Sequence, residues 1–372
     1  MRFLKFLKSP LPPPFHSIKK GRKAVSLPDF LANRMKKSLK KYWWFLLPAL
    51  LVVLFLINIS LGSIEIPLSE TLKVLTGRLP SQPVWTDIIF DFRLTKAFTC
   101  ILAGGALSLG GLLMQTLFRN PLAGPDVLGL SSGASLAVAV IIMAGGTGVA
   151  IFYHSFTLAL AASAGCAFVF LIVLAVAQRI HDNTSLLIIG LMIGAGTSSI
   201  VSVLQFISKA EDQQYFLVWT FGSMGSLNWG EIQILGVAVA LGITLSILSV
   251  KSLNAWLLGD NYAISLGVNL KRSRLLIIIG TSILTGAVTA FCGPIAFVGL
   301  AVPHLTRLLM DTTNHKTLIP AVVMSGGAIM LFCDILSRLP GTSYVLPINA
   351  VTALIGAPVV IWVIVRSKKI RV

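Results

Sequence analysis

The stretch KSLNAWLLGDNYAISLGVNLKRSR, from Lys251 to Arg274, decides how the rest of this chain is interpreted. It is too polar to cross a bilayer, yet it interrupts a chain whose other long segments are mostly apolar. Asp260 is a residue type that caps short helices, and Gly267 is one that ends them in a left-handed conformation. The sequence therefore predicts one to two helical turns over 261–266, capped by Asp260 and stopped by Gly267.

Four apolar residues of this stretch have no bilayer to enter: Leu257, Leu258, Ile264 and Leu266. Lys271, Arg272 and Arg274 follow directly, and such basic clusters mark the cytoplasmic side of a membrane protein. A short amphipathic helix at the inner face suits two interpretations. It either binds a soluble partner or rests on the lipid surface, and the pattern alone leaves both open.

The composition indicates a polytopic membrane protein. Of 372 residues, 55% are hydrophobic and 12% are charged, whereas soluble domains carry about twice that charged fraction. A spanning helix needs about 20 apolar residues, which leaves room for roughly ten spans. The predicted spans lie near residues 43–61, 94–117, 126–143, 156–177, 186–207, 232–250, 275–291, 297–310, 318–336 and 346–365. Residues 1–42 are predicted to be a basic cytoplasmic tail, and residues 43–372 a transmembrane domain.

The basic residues predict the orientation of these spans. The net charge is +17, and of the 30 Lys and Arg residues 24 fall in segments that ten spans place inside. The other six fall outside: Lys73, Arg78, Arg93, Lys96, Lys209 and Arg338. This asymmetry predicts that both termini are cytoplasmic. It also accounts for the positive charge without a nucleic-acid partner.

Two glycine patterns bear on the architecture. Gly124-Pro125 precedes Gly129-Leu130 on the inner side, and Gly293-Pro294 precedes Gly299-Leu300 on the outer side. Similar helix breaks on opposite faces are typical of an inverted repeat, although the spacing differs by one residue. In the fifth span, small residues recur every four positions and form one face of the predicted helix, which suits close helix packing or a pathway wall. They are Gly190, Gly194, Ser198 and Ser202.

Several kinds of chemistry have no sequence signal. The dipeptide Gly-Lys is absent, so the chain has no phosphate-binding loop for nucleotide. The four cysteines make no paired motif, and no metal site or catalytic cluster is predicted. The acid most clearly inside a span is Asp334, and Arg338 follows at a distance suited to pairing. The chain is therefore predicted not to be an enzyme.

A series of motifs in a fixed order resembles the permease subunits of ATP-binding-cassette (ABC) importers for ferric siderophores, haem and cobalamin, the FecCD-like family. The resemblance covers roughly residues 43–370 and leaves the first 42 outside. The motifs are RLTK at 93–96, AGGAL at 103–107, FRNPLA at 118–123, LGD at 258–260, SLGV at 265–268, GPIAFVGL at 293–300, LPI at 346–348 and GAP at 356–358.

The resemblance implies a fold and a set of partners. It implies an all-α polytopic protein with the type II importer fold: about ten transmembrane helices and a weak inverted repeat. Two permease subunits, for which a homodimer is favoured, would surround a path through the inner membrane. Two separate ATPase subunits would bind ATP and Mg, so this chain needs no cofactor of its own. A substrate-binding protein would deliver the cargo from outside, and membrane lipid would surround the assembly.

The resemblance also implies roles for individual residues. The ATPase-coupling loop would comprise Leu257, Leu258, Gly259, Asp260, Ile264, Ser265, Leu266 and Gly267. Outward-facing Arg93, Lys96 and Arg338 would meet acidic groups of the binding protein, or else simply reach the outer interface. Positions of the cytoplasmic gate correspond to Asn120, Leu122, Thr184 and Ser185, the last two of which are also suited to helix capping.

The predicted function is translocation of an iron chelate, a ferric siderophore or haem, by alternating access driven by the separate ATPases. The alternative within the same family is cobalamin import. A proton-coupled secondary transporter is the alternative from another class, although such carriers use buried carboxylates along their path.

Overall fold

The computed structural model describes residues 27–62, 64, 66–144, 155–180, 182–338 and 345–368. By its internal contacts the chain divides into two units, Met1–Tyr42 and Trp43–Val372. The second unit contains every element discussed below, from the part of helix α1 that follows Tyr42 onward.

Among the described residues, the first half of the chain contains seven helices and three irregular helical turns. A π-helical turn over Ile88–Leu94 leads into α4, and a 3-10 turn over Pro125–Leu128 precedes α5, which continues as a π-helical turn over Val140–Ala144. The helices are α1 (Leu27–Ser60), α2 (Leu68–Leu75), α3 (Val84–Asp87), α4 (Thr95–Leu117), α5 (Leu130–Ala139), α6 (Ser155–Arg179) and α7 (Asn183–Ile207).

The described part of the second half adds eight helices, three of which have 11, 7 and 6 residues. They are α8 (Ala210–Thr220), α9 (Trp229–Leu248), α10 (Val250–Trp256), α11 (Asp260–Ser265), α12 (Leu270–Cys292), α13 (Val298–Met310), α14 (His315–Ser337) and α15 (Ile348–Lys368). Helices suit this composition because a bilayer offers no water to exposed backbone groups, and each helix satisfies its own.

The predicted polytopic fold is confirmed. Among the described residues, seven helices are long and apolar enough to span a membrane, and three shorter apolar helices occupy the predicted third, eighth and tenth spans. Short α2 lies between the first and second spans. Helix α8 was not predicted. The segments before α5 and α13 shorten the third and eighth spans, because their backbone is not α-helical.

The inverted repeat is visible in the packing. Helices α4 to α7 correspond in order to α12 to α15, and α4 packs on α14 as α12 packs on α6. The two helix breaks meet inside the bundle: a methyl group added at Gly299 would lie 2.5 Å from the Pro125 ring, and one added at Gly124 would lie 3.2 Å from Leu300. Non-helical backbone at this depth is therefore buried in protein, as a bilayer requires.

Helix α4 forms the centre of the bundle, since every residue from Ala103 to Leu117 is buried. Its glycines allow this burial. A methyl group on Gly104 would lie 2.2 Å from the carbonyl oxygen of Gly326 in α14, and one on Gly111 would lie 1.7 Å from that of Gly299. Small residues let helix backbones approach this closely where the hydrophobic effect does not drive helices together.

Candidate functional site

Two faces of the bundle carry the candidate sites. One side of the bundle carries basic residues at or near several helix ends, and we call it the basic face. These residues are Arg119, Arg179, Lys251, Lys271, Arg272 and Lys316. Helices α4 and α6 end there, and α7, α12 and α14 begin there. The opposite face carries α2, α8 and the start of the π-helical turn before α4.

The segment α10–α11 on the basic face has two contrasting sides. Leu253, Trp256 and Ala263 are buried and fix it to the bundle. The four apolar side chains that the sequence placed outside the bilayer, at positions 257, 258, 264 and 266, are all exposed. The exposed fraction of Leu258 is 63%. Because the inner side is already packed, the outer side is available to another surface.

Helix α11 begins and ends through its glycines. Asp260 is its first residue, and Gly259 with φ 108° occupies the N-cap position, where no side chain accepts a hydrogen bond. The prediction that Asp260 caps this helix is therefore wrong. The prediction for Gly267 is confirmed: its φ is 77°, and the amides of Gly267 and Val268 donate to the carbonyls of Ile264 and Ala263 in a Schellman arrangement.

Asp260 instead binds Arg119, which follows the end of α4. The Arg119 guanidinium lies 2.5 Å from Asp260 Oδ1, with both side chains about half exposed. These two residues and α11 border a depression of about 600 Å³ that opens at the basic face and also includes Ser265. The ion pair connects the predicted coupling loop to the segment that carries the predicted gate residue Asn120.

The four predicted gate residues lie at the basic face in two turns. The Asn120 side chain accepts a hydrogen bond from the Leu122 amide at 2.9 Å, and the Leu122 side chain is exposed. Thr184 and Ser185 stand in the first turn of α7. Their gating role stays a prediction. In the described part of the chain, the side-chain hydrogen bonds of these residues stay within each turn.

Asp182, which the sequence analysis did not single out, caps α7. Its carboxylate accepts hydrogen bonds from the amides of Thr184 and Ser185, and the Ser185 hydroxyl donates to it at 2.7 Å. The hydrogen bonds from Ser185 and Thr184, with a smaller contribution from nearby Arg274, lower the pKa of Asp182. Asp182 occupies the N-cap position, so Thr184 and Ser185 act as donors to the cap rather than as the cap.

The small-residue stripe of α7 divides into two halves. Gly190 is buried against the backbone of Val127, where a methyl group would meet the carbonyl oxygen at 2.2 Å. Gly194 is partly buried, and a methyl group added there would lie 3.4 Å from the Ser132 hydroxyl. Ser198 and Ser202 are exposed. Packing therefore accounts for the half nearer the basic face, and the other half remains available to a pathway.

Arg93 differs from its prediction as an outward-facing residue. Its side chain is 5% exposed, and its guanidinium donates to the carbonyls of Ile59 and Ser60 at 2.8 and 2.7 Å and to that of Ile64. The expectation of exposure is wrong because the chain after α1 folds back over this side chain. Arg93 holds that connection to the start of α4.

Lys96 and Arg338 meet at one buried carboxylate on the opposite face. Lys96 Nζ lies 2.8 Å from Asp334 Oδ1, and the Arg338 guanidinium lies 3.0 Å from Oδ2, so the predicted pairing of Asp334 with Arg338 is confirmed. The Asn58 amide also donates to Asp334, at 2.8 Å. Lys96 and Asp334 border a cleft of about 360 Å³ beside the Gly222–Ser226 turn. Helices α1, α4 and α14 are thereby joined at this cleft.

A model of the FecCD transport family matches residues 50–366. The chain belongs to this family. The resemblance seen in the sequence motifs is thereby confirmed, and it extends from within α1 to within α15.

Individual relatives of this FecCD-family chain agree with that membership. It is 33% identical to the vitamin B12 import system permease BtuC of Klebsiella pneumoniae subsp. pneumoniae, over 90% of this chain and 96% of the relative. It is also 33% identical to the hemin transport system permease HmuU of Yersinia pestis, over 86% and 96%. A solved structure of an inward-facing transporter assigned to the metal-chelate type of ABC transporters is 29% identical. It superposes with a TM-score of 0.74 and covers 86% of this chain and 98% of that one.

Most of the predicted site residues lie at or near helix ends, but most of their partners could not be predicted from the sequence. Asp182 precedes a helix and had a recognisable capping signal. The ion pair of Arg119 with Asp260 and that of Lys96 with Asp334 join residues far apart in the chain, and the sequence carries no signal for such pairs.

Proposed function

We propose that this chain is the membrane permease subunit of an ABC importer in the bacterial inner membrane. Its cargo is an iron chelate, a ferric siderophore or haem, and separate ATPase subunits that bind ATP and Mg supply the energy. The basic face lies in the cytoplasm with both termini, as the excess of Lys and Arg favours. The opposite face receives cargo from a substrate-binding protein.

The observation that carries this proposal is the two-sided segment α10–α11. Its inner side is buried on the bundle, while Leu258, Ile264 and Leu266 remain exposed next to Arg119 and Asp260. An apolar ridge beside an open depression and rimmed by charges is typical of a protein contact. A lipid-resting helix would leave the ion pair and the depression without a role. Docking of an ATPase subunit uses all three features.

A second permease subunit, for which a second copy of this chain is favoured, covers the exposed face of α7. Leu191, Met192, Ile200 and Val203 are exposed on this helix, and α15 likewise exposes Leu354. We assign α7 and α15 to the pathway wall. ATP binding closes the two ATPases, moves the two α11 helices, and changes which face of the pathway is open.

The proposed cargo is inferred from what the relatives of this chain transport. HmuU is a hemin permease and the structural neighbour is assigned to metal-chelate transport, and these two favour an iron chelate. BtuC, a vitamin B12 permease, is equally similar at 33% identity, which supports cobalamin as the second candidate. The bound cargo of the partner binding protein would decide between them.

Purification in mild detergent followed by vesicle reconstitution tests the function. We expect two ATPase chains and a second permease to co-purify, and uptake of a labelled ferric siderophore, haem or cobalamin to require both ATP and the binding protein. Leu258→Asp should remove the ATPase chains, whereas Leu79→Asp, which alters an exposed leucine on the opposite face, should not. Uptake that follows a proton gradient without an ATPase would instead establish a secondary transporter.

A further inference from the structure

The segment from Gln115 to Leu122, which we call the α4 joint, is held by side chains from several other elements. Asp260 of α11 binds Arg119, and Asn183 of α7 donates to the Leu117 carbonyl. Three further contacts come from α13 and α14: Arg307 with Gln115 at 2.8 Å, His315 with Thr116 at 2.9 Å, and His304 with the Pro121 carbonyl at 2.8 Å. The α4 joint thus contacts both the proposed coupling helix, α11, and the proposed gate helix, α7.

The contact with α11 involves a strained residue. Arg119 has φ 47°, a left-handed conformation that non-glycine residues rarely adopt. Exposed ion pairs contribute little to stability, so the pair with Asp260 does not serve to hold the bundle together. Strained backbone persists where surrounding contacts enforce it, and it concentrates at switch regions. A movement of α11 that carries Asp260 away would let Arg119 relax.

The contact with α7 is short and close to the gate. Asn183 Nδ2 lies 2.6 Å from the carbonyl oxygen of Leu117, the last residue of α4. Asn183 is the first residue of α7 and directly precedes Thr184. Only one residue separates Leu117 from Arg119, so a change in the backbone at Arg119 alters the carbonyl that Asn183 holds.

Two of the contacts with α13 and α14, those of Arg307 and His315, anchor the other end of the joint. Arg307, His315 and Thr116 are mostly or fully buried, and His315 also contacts Asn254 of α10 at 2.9 Å. Buried hydrogen bonds of this kind are costly to break, unlike the exposed pair of Arg119 and Asp260. The joint therefore has a fixed part at Gln115 and Thr116 and a movable part from Leu117 to Asn120, which ends before the Pro121 carbonyl that His304 contacts.

We propose that the α4 joint transmits movement of α11 to α7, with Arg119 and Asn183 as its two positioning residues. The inference rests on the proposed ATPase docking at α11 and goes beyond it, because it assigns the route within this chain from the docked helix to the gate. Two sites are coupled when a common element responds to both, and here the element is the turn from Leu117 to Arg119.

A charge swap tests the first contact. In the purified complex in vesicles, Arg119→Asp and Asp260→Arg should each lower cargo transported per ATP hydrolysed by about fivefold or more, the lower end of usual coupling between sites. The double variant should recover to within about twofold. Asp tolerates a left-handed backbone better than Arg, so Arg119→Asp adds no strain. Arg179→Gln, which removes an exposed cation from the same face, should leave the ratio unchanged.

Asn183→Ala and Asn183→Asp test the second contact. Both remove the donor to the Leu117 carbonyl, and the Asp variant retains the side-chain shape. We expect ATP hydrolysis to continue while uptake falls, and a thiol at Ser198→Cys on α7 to lose its nucleotide-dependent change in reactivity. The four native cysteines are buried, so they contribute little background. Gln178→Ala removes an exposed amide nearby and is the matched control.

The outcomes separate the two proposals. If the unmodified complex shows no ATP-dependent uptake, the proposed function is wrong. If it transports normally but Arg119→Asp or Asn183→Asp retains the full ratio of transport to hydrolysis, the joint does not transmit movement. Failure of the charge swap to restore the ratio would likewise overturn the role of the Arg119–Asp260 pair.

Discussion

At the scale of single residues, Arg93 shows how a buried cation can be stabilised without a carboxylate. Its guanidinium donates to the backbone carbonyls of Ile59 and Ser60 at the end of α1 and of Ile64 just after it. Arginine suits this role because its donors are fixed in a planar fork and remain charged. The residue type is the one expected for docking, but the contacts make it a structural link. A sequence pattern that specifies a basic residue does not specify its partners.

Arg93→Met should therefore reduce stability. The three carbonyls would lose a charged donor, and one such hydrogen bond contributes about 1.5–3 kcal/mol. We expect a loss of about 3 kcal/mol or more, seen as a lower midpoint of thermal unfolding in detergent at a constant scan rate. Arg78→Met changes an exposed arginine on the same face and should leave the midpoint within about 1 °C. An unchanged midpoint for Arg93→Met would show that these carbonyls find other donors.

Lys96 and Arg338 remain the candidates for binding-protein docking, with Asp334 as their common partner. One carboxylate between two cations leaves a net positive charge beside the cleft at Gly222–Ser226. Arg338→Gln removes that excess without placing a new charge next to Asp334. We expect slower association of the binding protein, by a factor of a few at low salt and less at high salt, since rim charges mainly affect encounter. The measurement is surface-immobilised association kinetics at two ionic strengths. An association rate that is unaffected at low salt would exclude Arg338 from the docking surface.

At the scale of helices, the crossing of α4 and α14 depends on the absence of side chains. Gly104→Ala would place a methyl group 2.2 Å from the Gly326 carbonyl oxygen, and backbone cannot move away as a flexible side chain can. We expect a loss of stability of about 1–3 kcal/mol from overpacking and a lower yield of folded protein, measured by thermal unfolding and gel filtration. Gly236→Ala in α9 has its nearest contact at 4.0 Å and should be neutral or slightly stabilising. Equal behaviour of the two variants would contradict the close crossing.

The sequence predicts helices well where a single cause dominates. Long apolar segments of the sequence form helices that are long enough to span a membrane. The turn at Gly267 forms because glycine readily adopts a positive φ. Helix α8 escaped prediction because Ala210–Thr220 has no clear apolar face. The cap of α11 was misassigned because Asp260 had two potential roles, and the Arg119 side chain, distant in sequence, determined which one it adopts.

At the scale of the whole molecule, the inverted repeat explains why two kinds of site lie on opposite faces. The break between α4 and α5 starts from the basic face, and its counterpart before α13 starts from the other, and they meet at Pro125 and Gly299. The glycine motifs in the sequence predicted the inverted repeat only weakly, because their spacing differs by one residue. The meeting of the breaks could not be predicted, since it depends on packing between elements far apart in the chain.

The orientation of the bundle is the property on which the proposed roles of both faces depend. Membrane-impermeant thiol reagents test it, because the four native cysteines are buried and two exposed positions mark the faces: Ser81 on the opposite face and Thr313 on the basic face. In spheroplasts we expect Ser81→Cys to be labelled and Thr313→Cys to react after the membrane is opened. The physical reason is the excess of Lys and Arg at the basic face, which is retained in the cytoplasm during insertion. The reverse labelling pattern would place α11 outside the cell, where no ATP-driven partner operates, and the proposed coupling through Asp260 would be excluded.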